Sequence, residues 1–247
     1  MDLTLALAPL EDAATVILLQ DSPTGPQVLM LERPGRAGSF AGAWVFPGGK
    51  VDPEDRESGL DELGAARSAA VREVGEETAQ VLAADSLIHI SNWTPMRPLP
   101  RRFRTWFFLA RAASGNVVLS EGEHVAFAWM KPAAVLAKHA AGEMHLLPPT
   151  WISLYFLTHA SSVAQALSRA QSEMPFDYTT YVLGEELSRV ISDSKAMGGG
   201  TVVWAGDADY PGVGAGPTGA RNRLYMESLP WVFEQVASSE NGSKNKL

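Results

Sequence analysis

Three glutamates are the residues of this chain best placed to do chemistry. Glu73, Glu76 and Glu77 stand three and four residues apart in the segment Arg72-Glu73-Val74-Gly75-Glu76-Glu77. On an α-helix, which turns about 100° per residue, this spacing puts all three carboxylates on one face. Like charges that close repel unless a cation neutralises them. Mg²⁺ and Mn²⁺ take carboxylate oxygens and commonly bridge them to phosphates, so the spacing predicts a divalent-metal site.

The same spacing is also compatible with a solvated acidic helix face. Arg72 and Glu76 stand four residues apart and can form an ion pair on a helix. Networks of such pairs imitate metal sites. The elements around the glutamates therefore decide between the two interpretations.

The elements before the glutamates favour a binding site. Residues 43–46, Ala-Trp-Val-Phe, are typical of a strand, and Pro47-Gly48-Gly49 predicts a turn where the backbone can approach a ligand closely. After a polar loop, a helix is predicted to begin with Ser58 as its N-cap. Apolar residues at spacings of three and four predict a buried stripe along this helix. The stripe consists of Leu60, Leu63, Ala66, Ala70 and Val74.

The turn and the glutamate segment together resemble the signature of the Nudix hydrolases. That signature is a glycine, five residues, a glutamate, seven residues, and then Arg-Glu-apolar-any-Glu-Glu-any-Gly-apolar. Gly49 and residues 72–77 match its two ends, and the interval between them is about nine residues longer here. Four acids are candidates for the position of the first glutamate: Asp55, Glu57, Asp61 and Glu62.

Two residues at the predicted helix exit depart from the signature. Ala79 replaces its last glycine, and Gln80 stands where an apolar residue is usual. If the chain needs a positive φ at Ala79, the exchange costs about 1 kcal/mol or demands a different turn. Both departures concern the helix exit more than the metal ligands.

The resemblance implies a divalent-metal-dependent hydrolase of a phosphoanhydride in a nucleoside diphosphate derivative. The implied ligands for Mg²⁺ or Mn²⁺ are Glu73, Glu76, Glu77 and the carbonyl group of Gly48. The alternative is a catalytically weak Nudix-like sensor that binds a nucleotide ligand without turnover. A third interpretation is an acidic scaffold protein with no small ligand, which predicts no effect of metal.

The general base is implied to be one of these glutamates or a carboxylate of the loop Ser120-Glu121-Gly122-Glu123. Glu123 is the preferred residue, and a solvated loop acid is the competing interpretation. The five histidines show no ligand spacing and are interpreted as structural or exposed. His124 adjoins Glu123 and is the histidine most worth testing.

Arginines supply the predicted contacts to an anionic substrate, because guanidinium groups suit phosphate oxygens. These arginines are Arg33, Arg36, Arg101, Arg102 and Arg104. Each of them alone is also compatible with a surface charge. The aromatic residues available for a base or an acyl group are Phe40, Trp44, Trp106 and Phe108. At strand spacing, aromatics are more often core residues, and that interpretation is favoured.

Further segments resemble the Nudix branch that includes a peroxisomal acyl-coenzyme A diphosphatase. They are residues 29–33, 35–42, 99–108, 147–150, 205–207 and 219–224. The chain lacks the histidine-containing coenzyme A signature that other coenzyme A-cleaving members carry upstream of the Gly-Gly turn. Coenzyme A or its esters are therefore one expected substrate class among nucleoside diphosphate derivatives.

Composition narrows the classes of protein. A chain of 247 residues with 46% hydrophobic side chains can bury a full core. The formal net charge of −8 argues against nonspecific nucleic-acid binding. The lack of cysteine excludes thiolate chemistry and fits a reducing cytoplasm. The amino-terminal residues do not resemble a signal peptide, and no stretch has the roughly 20 apolar residues of a membrane span, so no membrane partner is expected.

The order of elements predicts an α/β fold, a Nudix-like α/β/α sandwich with a mixed sheet and a C-terminal extension of helices and a hairpin. Predicted strands are residues 14–19, 28–31, 43–46, 87–91, 103–110, 125–130, 201–205 and 223–226. Predicted helices beyond the glutamates are residues 131–140, 151–171 and 181–192. The expected domains are a core at 1–146, an extension at 147–237 and a flexible tail at 238–247. The Gly/Pro-rich segment 206–219 is either a surface loop or a lid or dimerisation element, so a homodimer is among the expected assemblies.

Overall fold

The computed structural model of the protein describes residues 8–35, 41–56, 59–95, 101–120, 122–183 and 200–237. The chain divides into two compact units, Met1–Asp177 and Tyr178–Leu247. The predictions for Arg36, Phe40, Glu57, Ser58 and the tail 238–247 fall outside the described residues.

The first unit contains strands and a few helices. Its strands are β1 (Leu10–Ser22), β2 (Gly25–Glu32), β3 (Trp44–Val45), β4 (Gly48–Lys50), β5 (Ile88–Thr94), β6 (Arg102–Arg111) and β7 (Ala126–Met130). Its helices are α1 (Glu62–Thr78), α2 (Pro132–Ala140), α3 (Pro148–Leu157) and α4 (Val163–Ser172). Strand β8 (Phe176–Thr179) spans the boundary, and the second unit contains β9 (Tyr181–Leu183), β10 (Thr201–Val203), β11 (Arg221–Tyr225) and β12 (Val232–Val236). Among the described residues, no helix combines the length and the apolar character that a bilayer crossing needs.

Strands β1 to β7 form one mixed sheet. Its order is β3-β2-β1-β6-β5, with β4 also paired to β1 and β7 paired to β2. Strands β1 and β6 are parallel, and the other pairs are antiparallel. Ser22 pairs with Gly25 where β1 and β2 form a hairpin, and these two strands contain the runs predicted as strands at 14–19 and 28–31. The predicted α/β class with a mixed sheet is confirmed.

Helix α1 packs on the sheet through very small side chains. Ala66, Ala70 and Val74 are fully buried in one cluster with Val16 of β1. Because alanine adds little bulk, the helix lies close to the strands, and its position leaves little room for adjustment. The predicted stripe is confirmed at these three residues. Leu60 precedes the helix and is 45% exposed, so its assignment to the stripe is wrong.

Both ends of α1 show how its sequence sets its limits. Asp61 is the N-cap and accepts a hydrogen bond from the N–H of Gly64 at 2.7 Å, so α1 begins three residues later than a helix capped by residue 58 would. Ala79 ends the helix in the left-handed conformation with a φ of 56°, and its N–H donates to the carbonyl of Gly75. This position therefore requires a positive φ, which costs alanine about 1 kcal/mol relative to glycine.

The predicted glycine turn is itself part of the sheet. Residues Gly48–Lys50 form β4, which pairs antiparallel with β1 and places Gly48 opposite Thr15. The turn predicted at residues 47–49 is therefore present only as a bend at Pro47, and Gly48 and Gly49 belong to a strand. Gly48 has a φ of 151°, and a β-carbon there would lie 2.2 Å from the carbonyl oxygen of Ala14. Only glycine fits this close pairing without a shift of the backbone.

The aromatic residues of β6 belong to the core. Phe108 is fully buried and Trp106 is 9% exposed, and both lie in the cluster that faces α1. This confirms the favoured interpretation for these two residues, because a ligand base or acyl chain has no access to a filled core. Trp44 of β3 is half-buried.

The later part of the chain differs from prediction in several places, and one of them is β8, which the sequence prediction does not contain. The helical region predicted at 151–171 is two helices, α3 and α4. The helix predicted at 181–192 is wrong where the structure describes it, because Tyr181–Leu183 is a strand paired with β10. Strand β12 is absent from the sequence prediction. The division into residues 1–146 and 147–237 stays a prediction, and the contacts group α3 and α4 with the first unit.

A buried ion pair organises the second unit. Asp207 is fully buried, and its carboxylate accepts hydrogen bonds from Nε and Nη2 of Arg223 and from the backbone N–H groups of Asn222 and Asp209. Burial acts to raise the pKa of Asp207, but these hydrogen bonds outweigh it and hold the pKa below its usual value. The N–H of Gly216 donates to the carbonyl of Asp207 at 2.8 Å, which closes the Gly/Pro-rich loop. A role of this loop as a lid or dimerisation element stays a prediction.

Candidate functional site

The candidate site lies where the end of α1 meets β4. The backbone N–H of Gly48 donates to Oε2 of Glu77 at 2.8 Å. Glu73 lies so close to Gly49 that a β-carbon on this glycine would be 2.2 Å from Oε1 of Glu73. The two glycines therefore let two carboxylates of the helix reach the backbone of the strand.

Arg72 of α1 forms hydrogen bonds with β4, with the turn that follows β4 and with two glutamates of its own helix. Its Nε and Nη2 donate to the carboxylate of Asp55 at 3.1 and 2.8 Å, and Nη2 also donates to the carbonyl of Lys50 at 3.0 Å. Its Nη1 donates to Glu73 at 3.0 Å and to Glu76 at 3.2 Å. The ion pair with Glu76 is therefore present, but as one contact of a wider network. A bidentate arginine–carboxylate pair fixes geometry as well as charge, so Arg72 is a positioning residue.

Asp55 is the acid that faces Arg72. It is 5% exposed and also accepts a hydrogen bond from the N–H of Asp52 at 2.9 Å. Burial acts to raise the pKa of Asp55, but the hydrogen bonds from Arg72 and Asp52 outweigh it and hold the pKa below its usual value. Of the other predicted substitutes for the first glutamate, Asp61 caps α1 and Glu62 lies at the far end of that helix.

Glu77 is a buried acid in an unfavourable electrostatic position. It is 5% exposed, and burial raises its pKa to about 8. The hydrogen bond from Gly48 acts against this rise, the charges of Glu73 and Glu123 add to it, and the charge of Arg33 opposes it. A positive charge beside Glu77 would restore its ionised form.

We expect the stability of the metal-free protein to fall as the pH rises between 4.5, the ordinary pKa of Glu77, and about 8, its pKa in the fold. In this window the folded chain holds a proton on Glu77 that the unfolded chain has released. The contribution of Glu77 to the free energy of unfolding is therefore full below the window and lost above it. Glu77→Gln removes the titration and keeps an acceptor for Gly48. Its unfolding midpoint should therefore depend less on pH. Thermal unfolding of both proteins in a chelator tests this, and parallel pH profiles would contradict it.

The segment after β6 places two further side chains beside Glu77. The N–H of Ser120 donates to the carbonyl of Glu77 at 3.3 Å, and the Ser120 hydroxyl donates to Glu123 at 3.2 Å. Glu77, Glu123 and His124 each offer one ligand atom, and these three atoms all lie within 4.8 Å of one another. His124 is 7% exposed, and burial, followed by the charge of Arg33, lowers its pKa. Its imidazole is therefore neutral at physiological pH and able to bind a cation.

The structure separates one predicted ligand from this group and adds a residue that the sequence did not assign. The side chain of Glu76 is 58% exposed and is held by Arg72. The interpretation of His124 as a structural or exposed histidine overlooks its contact with Glu77, and its position next to Glu123 is the single signal in the sequence. The carbonyl of Gly48 as a ligand stays a prediction.

Arg33 is the predicted anion contact whose charge acts on the site. Its positive charge opposes the rise in the pKa of Glu77 and adds to the lowering of the pKa of His124 that burial causes. Its side chain is half-buried, and its backbone N–H donates to Ala43 at 3.0 Å. Arg33 therefore combines a fixed backbone with a charge directed at the candidate site.

The predicted contacts on β6 are placed differently. Arg104 donates to Asp12 at 2.7 Å and pairs with Glu62 at 3.0 Å. Glu62 begins α1, about 17 to 23 Å along the axis from the glutamates near its end. Arg102 donates to a backbone carbonyl at 3.4 Å, and Arg101 is exposed. A phosphate at Arg104 would have to displace a carboxylate, so its assignment as an anion contact is not supported by its partners.

A mixed sheet, a glycine-containing strand and a helix end lined with carboxylates define an α/β protein with an acidic site suited to a cation. The model of the NUDIX domain matches residues 9–149. This match covers more than half of the chain, and the chain belongs to the Nudix family.

Two known proteins show the extent of the similarity. Putative nudix hydrolase 7 from Caenorhabditis elegans is 29% identical over 187 residues, which are 61% of this chain and 60% of that protein. The chain thus spans less than two thirds of the length of this relative. The crystal structure of a NUDIX hydrolase from Alicyclobacillus acidocaldarius matches with a TM-score of 0.60 and 22% identity, covering 66% of this chain and 97% of that one. This second likeness supports the fold.

Proposed function

We propose that this chain is a divalent-metal-dependent hydrolase that cleaves the phosphoanhydride linkage of a nucleoside diphosphate derivative. Membership of the Nudix family supports the reaction class. The observation that carries the proposal is the buried carboxylate of Glu77, which accepts a hydrogen bond from Gly48 and lies beside Glu123 and His124. A buried acid with acidic neighbours is costly unless a cation occupies the site.

The residues present fit a divalent cation. The proposed ligands are Glu73, Glu76, Glu77 and the carbonyl of Gly48, and either Mg²⁺ or Mn²⁺ suits oxygen ligands of this kind. Burial raises the pKa of Glu77, and a nearby cation would restore the ionised form of this acid. When bound, the cation would polarise phosphoryl oxygens and lower the pKa of a water molecule.

The remaining chemistry is assigned to side chains around these ligands. Glu123 is proposed as the general base, because its exposed carboxylate can accept a proton from water on the open side of the site. Arg72 positions Glu73 and β4. Arg33 is proposed to bind phosphate oxygens, for which a guanidinium group is well shaped.

Coenzyme A or one of its esters is the substrate class that we propose within this reaction. The support is the resemblance of segments such as residues 29–33 to the acyl-coenzyme A branch of the family. A cytoplasmic location and a homodimer stay predictions from the sequence.

A catalytically weak nucleotide sensor is the alternative. Ala79 in a left-handed conformation and an aspartate at residue 55 in place of the first glutamate favour it. The complete set of Glu73, Glu76 and Glu77 opposes it. A sensor would show ligand binding and thermal stabilisation without release of a nucleoside monophosphate.

The proposal is tested by metal uptake and by turnover in the same samples. Titration calorimetry with Mn²⁺ and Mg²⁺ should show binding to the full chain. A panel of dinucleotides, nucleoside diphosphate sugars, coenzyme A species and damaged triphosphates, ranked by kcat/KM, should show metal-dependent cleavage of at least one class. Absence of metal uptake, with or without these compounds, would refute the proposal.

We expect Gly49→Ala to lower this turnover about 10-fold, because the new methyl group displaces the carboxylate of Glu73 and misplaces a site group. Gly35→Ala is the matched control, since Gly35 has open space around its β-position and no positive φ. Turnover with saturating Mn²⁺ and the unfolding midpoint should be measured for both. Equal turnover of the two variants would show that the contact between Gly49 and Glu73 is unimportant.

A further inference from the structure

A histidine belongs to the candidate cation site of this chain. Within the part of the chain that the structure describes, Glu77, Glu123 and His124 are the group whose ligand atoms lie close enough to share a metal ion, all within 4.8 Å. The set predicted from the sequence contains oxygen atoms alone. A nitrogen atom in the group would change which cation the site prefers.

The environment of His124 points to a ligand. Its side chain is 2% exposed, and its Nε2 lies 3.7 Å from Oε1 of Glu77. Two ligand atoms bound to one ion at about 2.0–2.2 Å lie roughly 3–4 Å apart, so this separation fits a shared ion better than a direct hydrogen bond. Its Nδ1 is buried and has no hydrogen-bond partner among the described residues. The Nε2 atom faces Glu77 and is therefore the nitrogen placed to bind an ion.

The neighbouring charges suit a dication. Glu77 and Glu123 bring two negative charges to the group, and Glu73 adds a third close enough to act on Glu77. Arg33 opposes them with one positive charge. The carboxylate of Glu77 and the imidazole of His124 together form a mixed oxygen and nitrogen set, unlike the oxygen sets that Mg²⁺ prefers.

We propose that His124 supplies a nitrogen ligand to the cation held by Glu77, and that the site therefore prefers Mn²⁺, Co²⁺ or Zn²⁺ to Mg²⁺. This inference rests on the proposed function for the presence of a cation. Imidazole binds the later divalent metals more strongly than it binds Mg²⁺, so a nitrogen ligand discriminates among cations that carboxylates alone hold similarly.

Pulsed electron paramagnetic resonance of the Mn²⁺-loaded full chain tests this directly. The wild type should show coupling to one histidine ¹⁴N nucleus, and the coupling should change to that of ¹⁵N when the protein is labelled with ¹⁵N-histidine. His124→Gln should abolish it, and His159→Gln, which changes an exposed histidine, should leave it intact. Labelling needs no substitution, so the result does not depend on the folding of a variant.

Affinities provide the second measurement. His124→Gln should weaken Co²⁺ binding at least about 10-fold while changing Mg²⁺ binding less than about 2-fold, since Mg²⁺ gains little from imidazole. Bound Mn²⁺ without histidine coupling, together with metal-dependent hydrolysis, would overturn the role of His124 and leave the proposed function standing. Absence of both metal uptake and hydrolysis would overturn the two together.

Discussion

Replacing Glu77 with glutamine is expected to lower turnover at least about 100-fold while leaving the fold intact. Glutamine has nearly the size of glutamate and keeps an oxygen that can accept the hydrogen bond from Gly48. It cannot ionise, so the site loses one of the charges that hold a cation. Loss of one such stabilising group typically costs about 2.7–4 kcal/mol in the transition state. The measurement is kcat and kcat/KM at saturating Mn²⁺, with circular dichroism to confirm folding.

Glu143→Gln is the matched control for this substitution. Glu143 is an exposed glutamate whose carboxylate pairs with Lys138 at 2.8 Å after α2, and exposed pairs contribute little to stability. Its turnover should equal that of the wild type. Near-wild-type turnover of Glu77→Gln would remove Glu77 from the mechanism, and a loss shared by both variants would point to a general defect.

Replacing Asp207 with alanine should destabilise the second unit by about 3–5 kcal/mol. Asp207 is fully buried and holds the guanidinium of Arg223, which is itself 8% exposed. Removing one partner of a buried pair leaves the other charge uncompensated, and this penalty exceeds the value of the contact itself. Chemical denaturation followed by the fluorescence of Trp204, a fully buried residue of this unit, measures the loss.

Asp209→Asn is the control for Asp207→Ala. Asp209 contacts the same guanidinium group at 2.6 Å, but its side chain is 55% exposed. Solvent screens this contact, so its loss should cost no more than about 1 kcal/mol. Similar losses in the two variants would mean that the burial of Asp207 is not the source of its effect.

Local sequence patterns account for most of the first unit. The apolar run at residues 14–19 and the aromatic run at 103–110 are correctly predicted as strands, because a central strand must be apolar on both faces. The spacing of the apolar residues correctly predicts the helix that carries the glutamates. The end of this helix is also correctly predicted, because Ala79 stands where the signature has a glycine and the structure has a left-handed residue. All these features are determined by residues that are close to one another in the sequence.

Features that depend on distant partners are the ones that sequence reasoning missed. The short strand at Tyr181–Leu183 is defined by its pairing with β10. Its three residues are too few to show the alternation of apolar and polar side chains that predicts a strand. Counting forward from Gly49 reaches Asp55, one of the four candidate acids, but the unusual length of the signature left the choice among them to the contact with Arg72. The approach of His124 to Glu77 arises from the path of a loop, which spacing does not reveal.

The alanine-lined face of α1 has a consequence for attempts to change specificity by directed evolution. A larger residue at Ala66 or Ala70 would lift the helix from the sheet and move every carboxylate that it carries, so most library members altered there should lose activity altogether. Exposed loop positions away from the site, such as Met174, which is 90% exposed, tolerate variation without that penalty. Libraries confined to such loop positions should therefore yield a larger share of active clones.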